Sequence, residues 1–195
     1  RPAWLFVTLL LGCESATPAP SDAADVAVDA SRDVTALDAA APADDAALVD
    51  LDAFSADPLQ WDVQRPGPYP AGYRTWELTY TPTGAAPRTV RLHVWYPTLV
   101  TEGTGAVYRA IFRDSATLVD APLAPPRRAD GTYPVHAYSH GRMGFGATSY
   151  FLMRHFATHG WVSIAPDHTG DTLGESDTLP ASIYWQRSAD VAAAL

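Results

Sequence analysis

The sequence predicts an α/β fold in which an antiparallel hairpin leads into a parallel βαβ unit, so that both belong to one mixed sheet. Three observations carry that prediction. Residues 74–81 and 90–96 alternate with a period of two. Residues 134–139 and 161–165 are short apolar runs of the length of buried strands. Between those two runs lie a glycine-rich turn and a stretch with apolar residues three and four apart.

In the first pair of runs, Arg74, Trp76, Leu78 and Tyr80 alternate with Thr75, Glu77, Thr79 and Thr81. Val90, Leu92, Val94 and Tyr96 likewise alternate with Arg91, His93 and Trp95. Pro82-Thr83-Gly84 supplies turn chemistry between them, and Pro97 ends the second strand because it has no N–H for the ladder. An antiparallel pair followed by a parallel unit makes a mixed sheet.

The next strand holds Val135, Ala137 and Tyr138 and stops at a turn with three glycines, Gly141, Gly144 and Gly146, which lets backbone N–H groups face a ligand without Cβ interference. A helix is expected over 147–159, capped by Thr148 or Ser149, with Phe151, Leu152, His155, Phe156 and His159 along one stripe and Gly160 as its stop. Residues 161–165 form the second strand, ending at Pro166-Asp167. The crossover should be right-handed and the two strands parallel. Beyond Leu179, Tyr184, Arg187, Ser188 and Val191 keep helical spacing to the end of the chain.

Taken in order, GPYPAGYRTWELTYTPTGAAPRTVRLHVWYPT at 67–98, YSHG at 138–141 and HGWVSIAPDH at 159–168 resemble the α/β-hydrolase superfamily, specifically the esterases grouped with dienelactone hydrolases and platelet-activating-factor acetylhydrolases. The resemblance covers residues 66–195. It implies the N-terminal half of an α/β-hydrolase fold, truncated before the nucleophile elbow. In the resembling enzymes the backbone N–H after the His-Gly pair is one oxyanion donor, which falls on Arg142 here; His140 would shape the turn and Gly141 would allow close approach of substrate. The last helix leads toward the nucleophile strand, so nucleophile, triad acid and triad histidine are all expected downstream of Leu195.

Other chemistries are weaker. Ala137-Tyr138-Ser139-His140-Gly141 fits a relaxed A-x-S-x-G nucleophile turn, but a true elbow enters its helix directly, and three glycines intervene here. Gly174-Glu175-Ser176-Asp177-Thr178 has no apolar strand leading into it. His155 and His159 sit four apart, yet the HExxH glutamate is replaced by Phe156 and no third ligand is set by spacing, so no metal is expected. Asp167, Asp171, Glu175 and Asp177 lack calcium-loop spacing. Gly141, Gly144 and Gly146 run G-x-x-G-x-G, the reverse of the dinucleotide fingerprint, and no cofactor is expected.

The formal charge of −9 sits in one segment: residues 14–64 hold twelve acids and one arginine, whereas residues 65–195 hold ten acids and eleven arginines. A nearly neutral domain without a basic stripe gives no support for nucleic-acid binding. Three regions follow: a lipoprotein signal peptide at 1–13, an acidic Ala/Asp-rich disordered linker at 14–64, and a partial α/β-hydrolase domain at 65–195. The apolar run 3–11 is of secretory length and too short to span a bilayer. Leu10-Leu11-Gly12-Cys13 resembles a bacterial lipobox, which implies diacylation of Cys13. As the only cysteine, Cys13 also excludes an internal disulfide.

The expectation is the N-terminal fragment of an exported, lipid-anchored acyl hydrolase of the cell envelope, inactive by itself, whose parent acts on a small-molecule or lipid ester. The membrane would be reached through the lipid anchor; oligomeric state is not legible. The alternative is a non-catalytic, envelope-tethered binding protein on the same sheet.

Overall fold

The hairpin runs as expected. Strand β1 (Ala71–Tyr80) pairs antiparallel with β2 (Arg88–Pro97) along its whole length, from Ala71 opposite Pro97 to Tyr80 opposite Arg88. This is a computed structural model, and it describes residues 49, 51–52, 54–175 and 182–195. Cys13 and most of the acidic linker lie outside the described residues.

After the hairpin come β3 (Gly105–Tyr108), β4 (Phe112–Val119), β5 (Val135–Ala137), α1 (Tyr150–Thr158), β6 (Val162–Pro166) and α2 (Ile183–Ala194). They complete a six-stranded mixed sheet in the order β3-β4-β1-β2-β6-β5. β5 and β6 are parallel, with Val135 opposite Val162 and Ala137 opposite Ile164, as the βαβ reading requires. β2 joins the halves by pairing antiparallel with β6. β5 ends the order, and its Val135 and Ala137 side chains are exposed.

β2 is buried on both faces, which the alternation did not foresee for His93 and Trp95. One face carries Val90, Leu92, Val94 and Tyr96 against Trp76, Leu78, Ile164 and Ala194 of α2. The other carries Trp95 against Tyr73, Tyr108, Met153 and Ala157. Helices on opposite faces make three layers around one sheet. The β3–β4 hairpin adds to the Trp95 side: its register slips between Gly105 and Ala106, and Tyr108 packs edge-on to Tyr73 at 4.9 Å. A bulge bends a strand and raises its twist, so the hairpin folds over the sheet face.

The helix after the glycine turn starts later than expected. Gly146–Ser149 is a 3₁₀ turn, and neither Thr148 nor Ser149 caps α1. Thr148 Oγ1 donates to Phe145 O and Ser149 Oγ to Tyr138 Oη instead. The buried face is Met153 and Ala157, whereas Phe151 and Leu152 of the expected stripe are exposed. Small and flexible side chains on that face let the helix sit close to Trp95 and Ala165. Gly160 stops the helix at φ +79°.

The end of the expected linker is packed. Trp61 is buried against Tyr69, and Pro58–Gln60 forms a 3₁₀ turn capped by Asp57. His155 Nε2 faces Val63 O at 2.9 Å and His159 Nε2 faces Asp62 O at 3.2 Å. The two helix histidines thus hold this segment, and aromatic burial of Trp61 outweighs the polar composition around it.

Candidate functional site: the glycine loop and its carboxylates

β5 delivers the chain into residues 138–146 at the edge of the sheet, where β6 and the loop after it lie alongside. Gly146 is fixed by close approach, because a Cβ there would lie 2.6 Å from Ala165 O and 2.7 Å from His93 Cδ2. At Gly141 a Cβ would meet nothing within 4 Å, so this glycine faces open space. Met143 is in the left-handed region at φ +54°, which costs a residue with a Cβ roughly 1 to 2 kcal/mol.

Two buried aspartates from the loop after β6 hold this segment by its backbone. Gly146 N–H donates to Asp167 Oδ1 at 2.6 Å, and Met143 N–H donates to Asp171 Oδ1 at 2.9 Å. Gly144 N–H turns inward to Gly141 O at 3.0 Å, while Gly144 O accepts from Leu173 N–H at 3.1 Å. Arg142 is exposed, and among the described residues no acceptor meets its backbone N–H.

Each carboxylate has cationic support. Burial pushes the Asp167 carboxyl up, but His93, the Gly146 N–H and Arg109 outweigh it and hold it well below the usual carboxylate range. Asp171 Oδ2 pairs with Arg187 Nη1 of α2 at 2.9 Å. Arg187 Nη2 also donates to His140 O and lies 3.2 Å from Ser139 Oγ.

His140 is fully buried and has one workable tautomer. Its Nε2 accepts from the His168 backbone N–H at 3.0 Å, so the proton sits on Nδ1 and is donated to Gly141 O at 2.7 Å. Burial, the main cause, lowers its pKa below the ordinary histidine value, with Arg187 and His168 adding to it against the Gly141 bond. A neutral His140 thus ties Gly141 O to the His168 backbone.

The structure also assembles an array that sequence reasoning did not promote. Ser139 Oγ lies 2.8 Å from His168 Nε2, and His168 Nδ1 lies 2.8 Å from Asp190 Oδ2. His168 and Asp190 are fully buried; Ser139 is exposed and lines a cleft of about 480 Å³ with Tyr184, Arg187, Ser188 and Val191. Serine, histidine and aspartate in this order have the geometry of a nucleophile, base and orienting acid. Asp190 is heavily committed elsewhere: Arg88 Nε and Nη2 donate to it at 2.7 and 2.9 Å, and Tyr80 Oη donates at 2.5 Å. The separations along the chain, 29 and 22 residues, follow no motif spacing.

Other sequence candidates resolve into local structure. Glu175 Oε2 accepts from the Gly170 and Thr172 N–H groups and from Thr172 Oγ1, so it closes a turn. Ser176, Asp177 and Thr178 lie outside the described residues. His140, Gly141 and Arg142 come together with Asp167, His168 and Asp171, while Cys13 is not among the described residues.

No protein-family model matches the chain. No curated protein matches it either. Among solved structures, a ferulic acid esterase from Streptomyces cinnamoneus is similar at 24% identity and a TM-score of 0.45, over 60% of this chain. The chain spans 39% of that esterase's length.

Proposed function

We propose that this chain is the N-terminal, oxyanion-loop-bearing part of a serine-type α/β hydrolase acting on a carboxylic ester or related acyl bond. The observation that carries the reading is the glycine loop, held by Asp167 and Asp171 while the exposed Arg142 keeps an N–H that no acceptor among the described residues meets. Preorganised N–H donors of this kind stabilise the oxyanion of acyl transfer. The nucleophile belongs to a further parallel strand beside β5, the last strand of the sheet among the described residues. The substrate is a small-molecule or lipid ester.

A second reading is favoured by one observation, the hydrogen-bonded Ser139, His168 and Asp190: Ser139 would itself be the nucleophile. Against it, Asp190 already neutralises Arg88, which weakens its support of an imidazolium at His168. A fluorophosphonate probe separates the two. The 195-residue chain is expected to remain unlabelled, and the full-length parent to be labelled at a serine beyond Leu195. Labelling at Ser139, abolished by Ser139→Ala, would establish the second reading; an unlabelled parent would favour a binding protein.

The lipobox at 10–13 and the acidic segment after it support placement in the cell envelope, with the domain anchored through acyl chains on Cys13. Two or more chains anchor stably where one does not. The wild type is expected to partition into detergent and C13S into the aqueous phase; equal partitioning would remove the anchor.

A further inference from the structure

We infer that Asp171 and Arg187 are positioning residues that set the orientation of the Gly141–Arg142 peptide, an inference that rests on the hydrolase reading for its catalytic consequence. One ion pair grips the loop on both sides of that peptide. Upstream, Arg187 Nη2 donates to His140 O; downstream, Asp171 Oδ1 accepts the Met143 N–H at 2.9 Å. The two grips are joined by the contact of Arg187 Nη1 with Asp171 Oδ2 at 2.9 Å. The peptide's own carbonyl, Gly141 O, accepts from His140 Nδ1–H at 2.7 Å and Gly144 N–H at 3.0 Å; the two grips fix the flanking peptides, and so the axis about which the Arg142 N–H turns.

The backbone gives a separate reason for such a clamp. Met143, immediately after Arg142, is held at φ +54°, a conformation that a residue with a Cβ leaves unless the surroundings hold it. The Asp171 bond is made by the N–H of that same residue. Asp171 is only 2% exposed, so its carboxylate acts with little competition from solvent, and Arg187 is its counter-charge at 2.9 Å. A lysine would keep the charge but not the fork that reaches Asp171 and His140 O together. Arg187 comes from α2 and Asp171 from the loop after β6, so the donor's geometry depends on helix and sheet being docked.

The test has two arms. In the 195-residue chain, amide hydrogen exchange of residues 141–143 is followed in wild type, D171N, D171A and R187K. The Met143 amide should be protected in wild type and exchange at least tenfold faster in D171A and R187K, with D171N between. Unchanged Met143 exchange in both D171A and R187K overturns the inference whatever the activity.

In the full-length parent, D171A and R187K should lower kcat by about 10- to 100-fold on a short-chain ester with KM within about twofold, because the donor is displaced while substrate binding is kept. Adding Met143→Gly, which removes the strain, should restore part of the kcat lost in D171A. Faster exchange with kcat unchanged would overturn the positioning role while leaving the hydrolase reading in place. A wild-type parent without serine labelling would fail the hydrolase reading alone, and the exchange arm would still decide whether the pair sets the loop. If D171A does not fold, D171N and R187K carry both arms.

Discussion

Asp190→Ala is expected to destabilise the domain by about 3 to 5 kcal/mol, the typical loss when one partner is removed from a buried ion pair. Asp190 is fully buried and accepts from Tyr80, Arg88 and His168, which arrive from β1, β2 and the loop after β6. Alanine leaves the buried His168 Nδ1 without its acceptor and the mostly buried Arg88 guanidinium without its counter-charge, with only Gln186 Oε1 and Thr169 O still accepting from it, and the loss is a large share of the roughly 5 to 15 kcal/mol that holds a domain folded. D190N should fall between, since its amide oxygen still accepts hydrogen bonds but offers Arg88 no charge. Urea or thermal unfolding measures both variants. An Asp190→Ala domain as stable as wild type would show that the network is incidental.

The same carboxylate gives the effect a pH dependence. Burial raises the Asp190 pKa, but the bonds from His168, Arg88 and Tyr80 prevail and hold it below the usual 3.8. A group depressed in the folded state contributes fully above its unfolded value and loses that contribution as pH falls through the folded value. The stability gap between wild type and D190N should therefore be widest near neutrality and narrow in acid.

On the proposed hydrolase reading, Arg142→Pro in the full-length protein is expected to cost about 10² to 10³ in kcat, the usual effect of deleting one oxyanion donor. Proline removes the backbone N–H, whereas Arg142→Ala keeps it and should lose less than about tenfold, since the proposed role belongs to the main chain. Steady-state ester hydrolysis on both variants checks this. If alanine and proline lose activity equally, the guanidinium rather than the N–H is the functional group, and the oxyanion assignment fails.

The hairpin was legible because period-two alternation, a Pro-Thr-Gly turn and a terminating proline all act within neighbouring residues. The β3–β4 hairpin was not. Its turn places Arg109 and Ala110 at φ +46° and +56° without the asparagine or glycine that usually signals such a turn. Tertiary contacts hold it there: the Arg109 guanidinium bonds Asp167 and Leu173 O and lies 5.2 Å over the Phe145 ring. For α1, Phe151 with Leu152 and Tyr150 with Met153 and Ala157 both offer apolar spacing, and periodicity alone does not choose between them.

At the site, the sequence by itself determined the glycine turn after β5, the neighbouring strands and the stop at Gly160, because these follow from backbone sterics and local alternation. Only the tertiary structure decided that Asp167 and Asp171 bind that turn, that Arg187 locks it, and that Ser139, His168 and Asp190 meet. Those partners lie on separate elements, and no local rule ranks one aspartate of the chain above another. The choice falls to packing: a carboxylate driven out of water as the layers close must find donors, and the free N–H groups of the glycine loop and the guanidinium of Arg187 are the donors within its reach.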